Sequence, residues 1–295
     1  MRPRALDGAA GAGAAMALAA ALLAACGLGG CGPVRGPRPV ARPPETSPQE
    51  LLAAHNPWAD SVQHVWARAD LALNVPTDAE GLKRGRYDLD GHFFLQKPGG
   101  LFLHGQVVGQ EVFQFAVGPE RYWLWVRPEV NTVWVGRRGG PGERAAAVSP
   151  PALLDSLGVF RIEPSPDRAM DLADYGTHAV LSEYGPRGDL ARRTWFDRKT
   201  LRPARTDLYG AGGRRILTCE MLRYEPSGGT DLCTAYRVRF CGPGEVDLAI
   251  RLRDARLDKP INPRVFAYRL PAGAAEEDLD RPRAAPSPEA EMESP

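Results

Sequence analysis

Residues 121–136, RYWLWVRPEVNTVWVG, place three tryptophans in two short apolar runs joined by a polar turn. Successive side chains of a strand point to opposite faces, so a strand with one wet face alternates apolar with polar. These runs do not. Trp123 and Trp125 fall on one face, Tyr122, Leu124 and Val126 fall on the other, and the second run adds Trp134 to Val133 and Val135. Each Trp offers roughly 150–250 Å² of mostly apolar surface. At about 25 cal/mol/Å², covering three contributes on the order of 10 kcal/mol, comparable with the entire net stability of a domain, about 5–15 kcal/mol. Any sheet carrying this hairpin must therefore be covered on both sides, by protein, by an apolar ligand or by a partner.

The rest of the chain predicts the sheet. A strand is expected over Val65–Val75, followed at short, even spacing by RYDLDGHFFLQ, GGLFLHGQVV, EVFQFAVG and the Trp hairpin. Strands resume with FRIEP, THAVLSEYG, ARRTWFDRKTLRPARTDLYG, RRILTCEMLRY, CTAYRVRFC and VDLAIRLRDARL, and KPINPRVFAYRLP makes an extended finish. Ser47-Pro48 before QELLAAH predicts a capped helix, Asn56-Pro57 a second one through Gln63, and SPPALLDSLG a third at 149–158 with its Leu153-Leu154-Leu157 stripe. Roughly ten or eleven strands with three short helices are expected. So many antiparallel strands in one sheet curl rather than stay flat. The expected fold is mainly β: an open antiparallel half-barrel capped by short lid helices.

The flanks set the compartment. Arg2 and Arg4 precede GAAGAGAAMALAAALLAAC, a secretory signal peptide over residues 1–25 that is short and rich in Ala and Gly for a membrane span. It ends in Leu23-Ala24-Ala25-Cys26, which resembles a bacterial lipobox and makes Cys26 the lipid anchor, carrying palmitate-type acyl chains. LGGC, ending at Cys31, is a poorer match. Gly27 after the cysteine points to the outer membrane. Residues 26–46 read as a Pro- and Gly-rich tether, 47–271 as one folded domain, and 272–295 as a disordered acidic tail.

Formal net charge is +1, which implies neither nucleic acid nor a strongly acidic partner. Cys219, Cys233 and Cys241 allow one disulfide with a thiol left over, or three buried thiols, and no Cys/His spacing of a zinc site occurs. No catalytic or cofactor motif is present: G-x-S-x-G, H-E-x-x-H and Ser-x-x-Lys are all missing, and GRRGGPGE lacks the Lys-Ser/Thr of a phosphate loop. His92 and His104 fall on neighbouring strands within reach of each other, a pattern read here as solvated or satisfied histidines rather than a metal pair. Asp88 and Asp90 beside Arg86 read as surface pairing.

The order of RADLALNV, YWLW…VWVG, PPALLDSLG, WFDRKTLRPARTDLYGAGG and INPRVFAYRLP resembles the LolA/LolB superfamily of outer-membrane lipoprotein carriers and receptors over most of 47–271. The resemblance implies a half-barrel with a helical lid that holds lipid or lipoprotein acyl chains in the cell envelope, on the periplasmic face of the outer membrane. It implies no enzyme, cofactor or metal. The expected cavity lining is Phe113, Phe115, Tyr122, Trp123, Leu124, Trp125 and Trp134. The alternative reading is an envelope sensor or assembly factor that binds a protein partner through the same fold.

Overall fold

A computed structural model of the chain describes residues 47–76, 84–127, 131–145, 148–242 and 245–281. Helix α1 (Pro48–Ser61) begins at a capping box in which Ser47 Oγ accepts from the Glu50 amide at 3.2 Å and Glu50 accepts from the Ser47 amide at 2.7 Å. The break expected at Asn56-Pro57 does not occur, and Pro57 lies inside one continuous helix. Asn56 is used elsewhere: its side chain donates to Ile162 O at 3.1 Å and accepts from Ile162 N at 3.0 Å, so it fastens the helix instead of capping a new one.

That clamp also explains why FRIEP is not a strand. Phe160 and Ile162 spend their backbone groups on His55 and Asn56 of α1 rather than on a ladder. The next strand is instead Met170–Asp174. In chain order the strands are β1 (His64–Pro76), β2 (Arg84–Gln96), β3 (Gly100–Val107), β4 (Gln110–Val117), β5 (Arg121–Val126) and β6 (Thr132–Arg137). Helices α2 (Pro141–Ala145) and α3 (Pro150–Ser156) follow. Then come β7 (Met170–Asp174), β8 (His178–Tyr184), β9 (Leu190–Asp197), β10 (Pro203–Tyr209), β11 (Arg215–Ser227), β12 (Thr230–Phe240), β13 (Val246–Arg256) and β14 (Ala275–Asp278). A 3-10 turn at Pro263–Phe266, capped by Asn262, interrupts the expected extended finish.

All fourteen described strands join one sheet in the order β14-β6-β5-β4-β3-β2-β1-β13-β12-β11-β10-β9-β8-β7. Two antiparallel meanders meet at the β1–β13 seam, and β14 and β7 remain as separate edges. The sheet is open, with more strands than the ten or eleven expected. It continues past residue 271 because β14 adds in parallel to the β6 edge. The acids read as tail are acceptors there. Glu277 takes the Trp134 indole N–H at 2.9 Å, and Asp280 takes the amides of Arg137 at 2.7 Å and Gly142 at 3.1 Å.

Curl follows from one contact. Phe115 on β4 and Phe240 on β12 are five strand spacings apart, about 24 Å on a flat sheet, yet their rings are 5.9 Å apart. The face carrying them is therefore concave, and α3 lies within it, touching β4 and β5 on one wing and β10 and β11 on the other. Leu153, Leu154 and Leu157 of the α3 segment and Trp58, Ala59 and Val62 of the α1 segment fill this inner face. Leu51 and Leu52 at the start of α1 pack with Leu172, Leu181 and Phe196 from β7, β8 and β9.

Candidate functional site

The β5–β6 register resolves what covers the Trp hairpin. Leu124 pairs with Trp134, Trp123 with Val135 and Trp125 with Val133, while Phe115 of β4 pairs with Leu124. Phe113, Phe115, Tyr122, Leu124 and Trp134 thus share the inner face with the helices. Trp123 and Trp125 lie on the outer face with Ala116, Val133 and Val135, under Phe102, Tyr268 and Ala274. The seven residues expected to line one cavity belong to two surfaces. Each is buried, Leu124 the least so at 7% exposure.

The outer cover is the segment after β13, which the sequence presents only as an extended finish. Tyr268 meets the Trp123 ring at 5.4 Å, edge to face. The two indole N–H groups stay satisfied beneath it, Trp123 donating to Gln114 Oε1 at 3.1 Å and Trp125 to Asn131 Oδ1 at 3.2 Å. Phe94, Phe102, Gln114, Trp123, Arg264 and Arg269 line a cleft of about 410 Å³ beside this segment.

On the inner face the lids are held by few polar contacts. Trp58 of α1 donates to Asp231 O at 2.7 Å, and Lys97 donates to Ala59 O, where cations favour a helix C-terminus. His55 is 1% exposed, and its Nε2 donates to Phe160 O at 3.0 Å. Its ring lies 5.4 Å from that of Trp58 and 5.2 Å from that of Phe196. Burial pushes His55 down to about 4, against the Phe160 hydrogen bond that favours its charged form, while the cations Lys97 and Arg202 push it down further. Ser149 caps α3 by accepting from the Ala152 amide at 3.3 Å.

Tyr122 brings a polar atom into this apolar surface. Its hydroxyl is buried without a hydrogen-bond partner among the described residues. Burial first, then the carboxylates of Asp280, Glu143 and Asp278, hold its proton well above the ordinary tyrosine range. Gly136 makes room for the ring, since a Cβ there would stand 2.4 Å from the hydroxyl.

Cys219, Cys233 and Cys241 are buried free thiols, with Cys233 pushed up to about 11 by burial. Arg86 and Asp88 pair at 2.8 Å on the surface. His92 and His104 do come together, with Nδ1 of the first 3.1 Å from Nε2 of the second. At the β3–β4 turn Val108 is fully exposed in a left-handed conformation (φ 49°), next to a partly exposed Val107, a feature that carried no signal in the sequence. Among the described residues no helix is long and apolar enough to cross a membrane. The signal peptide, Cys26 and the tether lie outside the described residues.

No protein-family model matches the chain, and no curated protein matches it. Solved structures similar to it include a DUF1329 family protein from Desulfovibrio piger, 15% identical over 74% of this chain and 95% of that one, with a TM-score of 0.48. A LolA superfamily protein from Nitrosomonas europaea is 12% identical over 76% of this chain and 98% of that one, also at 0.48. A domain from Vibrio parahaemolyticus described as an outer membrane lipoprotein-sorting protein is 12% identical over 74% and 94%, at 0.46. Likenesses this distant concern the shape of the open sheet and assign no activity to the chain.

Proposed function

We propose that this chain is a membrane-anchored lipoprotein of the cell envelope, lipidated at Cys26, that holds or passes on lipid or lipoprotein acyl chains against its inner apolar face. It is a binding protein rather than an enzyme, and it works on the periplasmic side of the outer membrane. One observation supports this above others: the inner face of an unclosed sheet is covered by two short helices instead of a second sheet. Burial of three leucines from the α3 segment contributes about 5–9 kcal/mol. An acyl chain contributes about 0.8 kcal/mol per buried methylene, so about six to eleven methylenes match what α3 supplies. Lid and ligand are thus interchangeable in kind and in magnitude. The exposed Val107-Val108 tip adds an apolar point of contact with a membrane.

Native mass spectrometry of the protein isolated from its host tests the reading. A lipid-sized mass that leaves on delipidation and is replaced by a fluorescent acyl probe is the expected result. A chain that carries no lipid and takes up no probe overturns it. Separately, labelled palmitate must enter the wild type and not Cys26→Ala. The outer cleft of Phe94, Phe102 and Trp123 under Arg264 and Arg269 favours a second reading, a sensor or assembly factor for an envelope protein. Capture of one stable protein partner without lipid selects that reading.

A further inference from the structure

The outer face of β2 and β3 carries an arrangement that neither the lids nor the anchor uses. His92 and His104 stand directly opposite in the register, with His92 Nδ1 3.1 Å from His104 Nε2. On the far side of His104, Nδ1 lies 3.3 Å from Oε1 of Glu111 on β4. The imidazoles are fixed by their neighbours. They stack on each other at 5.1 Å, Phe94 stacks on His92 at 5.8 Å, and Phe102 packs on His104 at 5.5 Å.

Two ring nitrogens this close cannot both direct lone pairs at one another; a proton or a cation must stand between them. The Glu111 carboxylate makes no hydrogen bond to His104 Nδ1, but its charge 3.3 Å away favours the proton there and leaves Nε2 as a lone pair. His92 then fills the gap with its Nδ1–H. In its other tautomer, with the proton on Nε2, it turns a second lone pair into the same gap. A carboxylate behind a histidine is the usual outer partner of a metal-binding imidazole. Imidazole nitrogens bind at about 2.0–2.1 Å, which at a tetrahedral angle separates two of them by about 3.3 Å.

We propose that His92 and His104 form a two-nitrogen site for a divalent transition ion of the zinc, copper or nickel kind, with the Glu111 carboxylate beside it. No group of three His, Cys, Asp or Glu among the described residues is placed to hold a metal, so water completes the coordination and the site exchanges its ion readily. The cations nearby are engaged elsewhere. Lys259 lies over the Trp66 ring at 3.3 Å, and Arg68 pairs with Asp254 at 3.7 Å. The inference does not depend on the inner face holding lipid.

Calorimetric titration of the untagged, detergent-solubilised full chain with zinc, nickel or copper salts tests it. One ion per chain is expected, lost in His92→Ala and in His104→Ala. His64→Ala must leave binding unchanged. No uptake by the wild type, or equal uptake by His92→Ala, overturns the site. Nitrogen-15 spectra of the wild type do not depend on any variant folding. Zinc must move Nδ1 of His92 and Nε2 of His104, and a response confined to other histidines overturns the assignment.

Discussion

At the scale of the residue, His55 ties the stability of α1 to pH. Its folded value is about 4 against 6.5 for a free imidazole, because the charged ring would be buried with no partner for Nδ1 and with Lys97 and Arg202 nearby. A depressed histidine binds fewer protons folded than unfolded, so its contribution is complete above about pH 6.5 and is lost as pH falls toward 4. The shift corresponds to about 3 kcal/mol. Urea unfolding at pH 7 and pH 4.5 should show wild type losing more stability than His55→Gln, and equal losses would remove His55 as the cause. Gly91 is a second residue whose chemistry is imposed by its place. A Cβ there would stand 1.8 Å from the backbone oxygen of His104. Gly91→Ala must push β2 and β3 apart and should cost about 3 kcal/mol, seen as a fall in the denaturation midpoint.

Elements were legible where one physical signal dominated. The α3 helix announced itself by Ser149, two prolines and a leucine stripe, and the structure places it as read. The hairpin's double-sided burial followed from strand period alone, and both faces are indeed covered. What covers the outer one was not legible. Tyr268 and Ala274 act through tertiary position, and nothing in RVFAYRLPAGA marks a segment that returns to β5. The sequence groups Trp134 with the other tryptophans because register across a turn cannot be counted without the turn. β14 carries no strand signal for a similar reason: four residues, three of them acidic, pair only because β6 offers an edge and Trp134 an indole N–H. Truncation after Pro271 removes that acceptor and uncovers the edge. Trp emission should shift to the red and aggregation rise relative to a chain ending at Arg281; unchanged emission and solubility would show that β14 contributes little.

At the scale of the whole molecule, the open sheet and its lids raise one question: whether the inner face works by opening. Both wings of the curl meet through Phe115 and Phe240, and α3 bridges them. An acyl chain therefore has room only if α3 moves away from β10 and β11. The protein contains the means to test this, because α3 packs on β11, where the Cys219 thiol is buried, and Ser156 of α3 is buried beside it. Ser156→Cys places a second thiol beside Cys219, and oxidation joins helix to strand by a disulfide. If the carrier reading holds, the oxidised variant keeps its fold but takes up no acyl probe, and reduction restores uptake to the level of wild type. A locked chain that binds as well as the reduced one would mean that α3 is a fixed part of the core. The ligand would then have to reach the outer cleft instead. The two outcomes separate a protein whose helix opens the inner face from one whose helix is fixed in it.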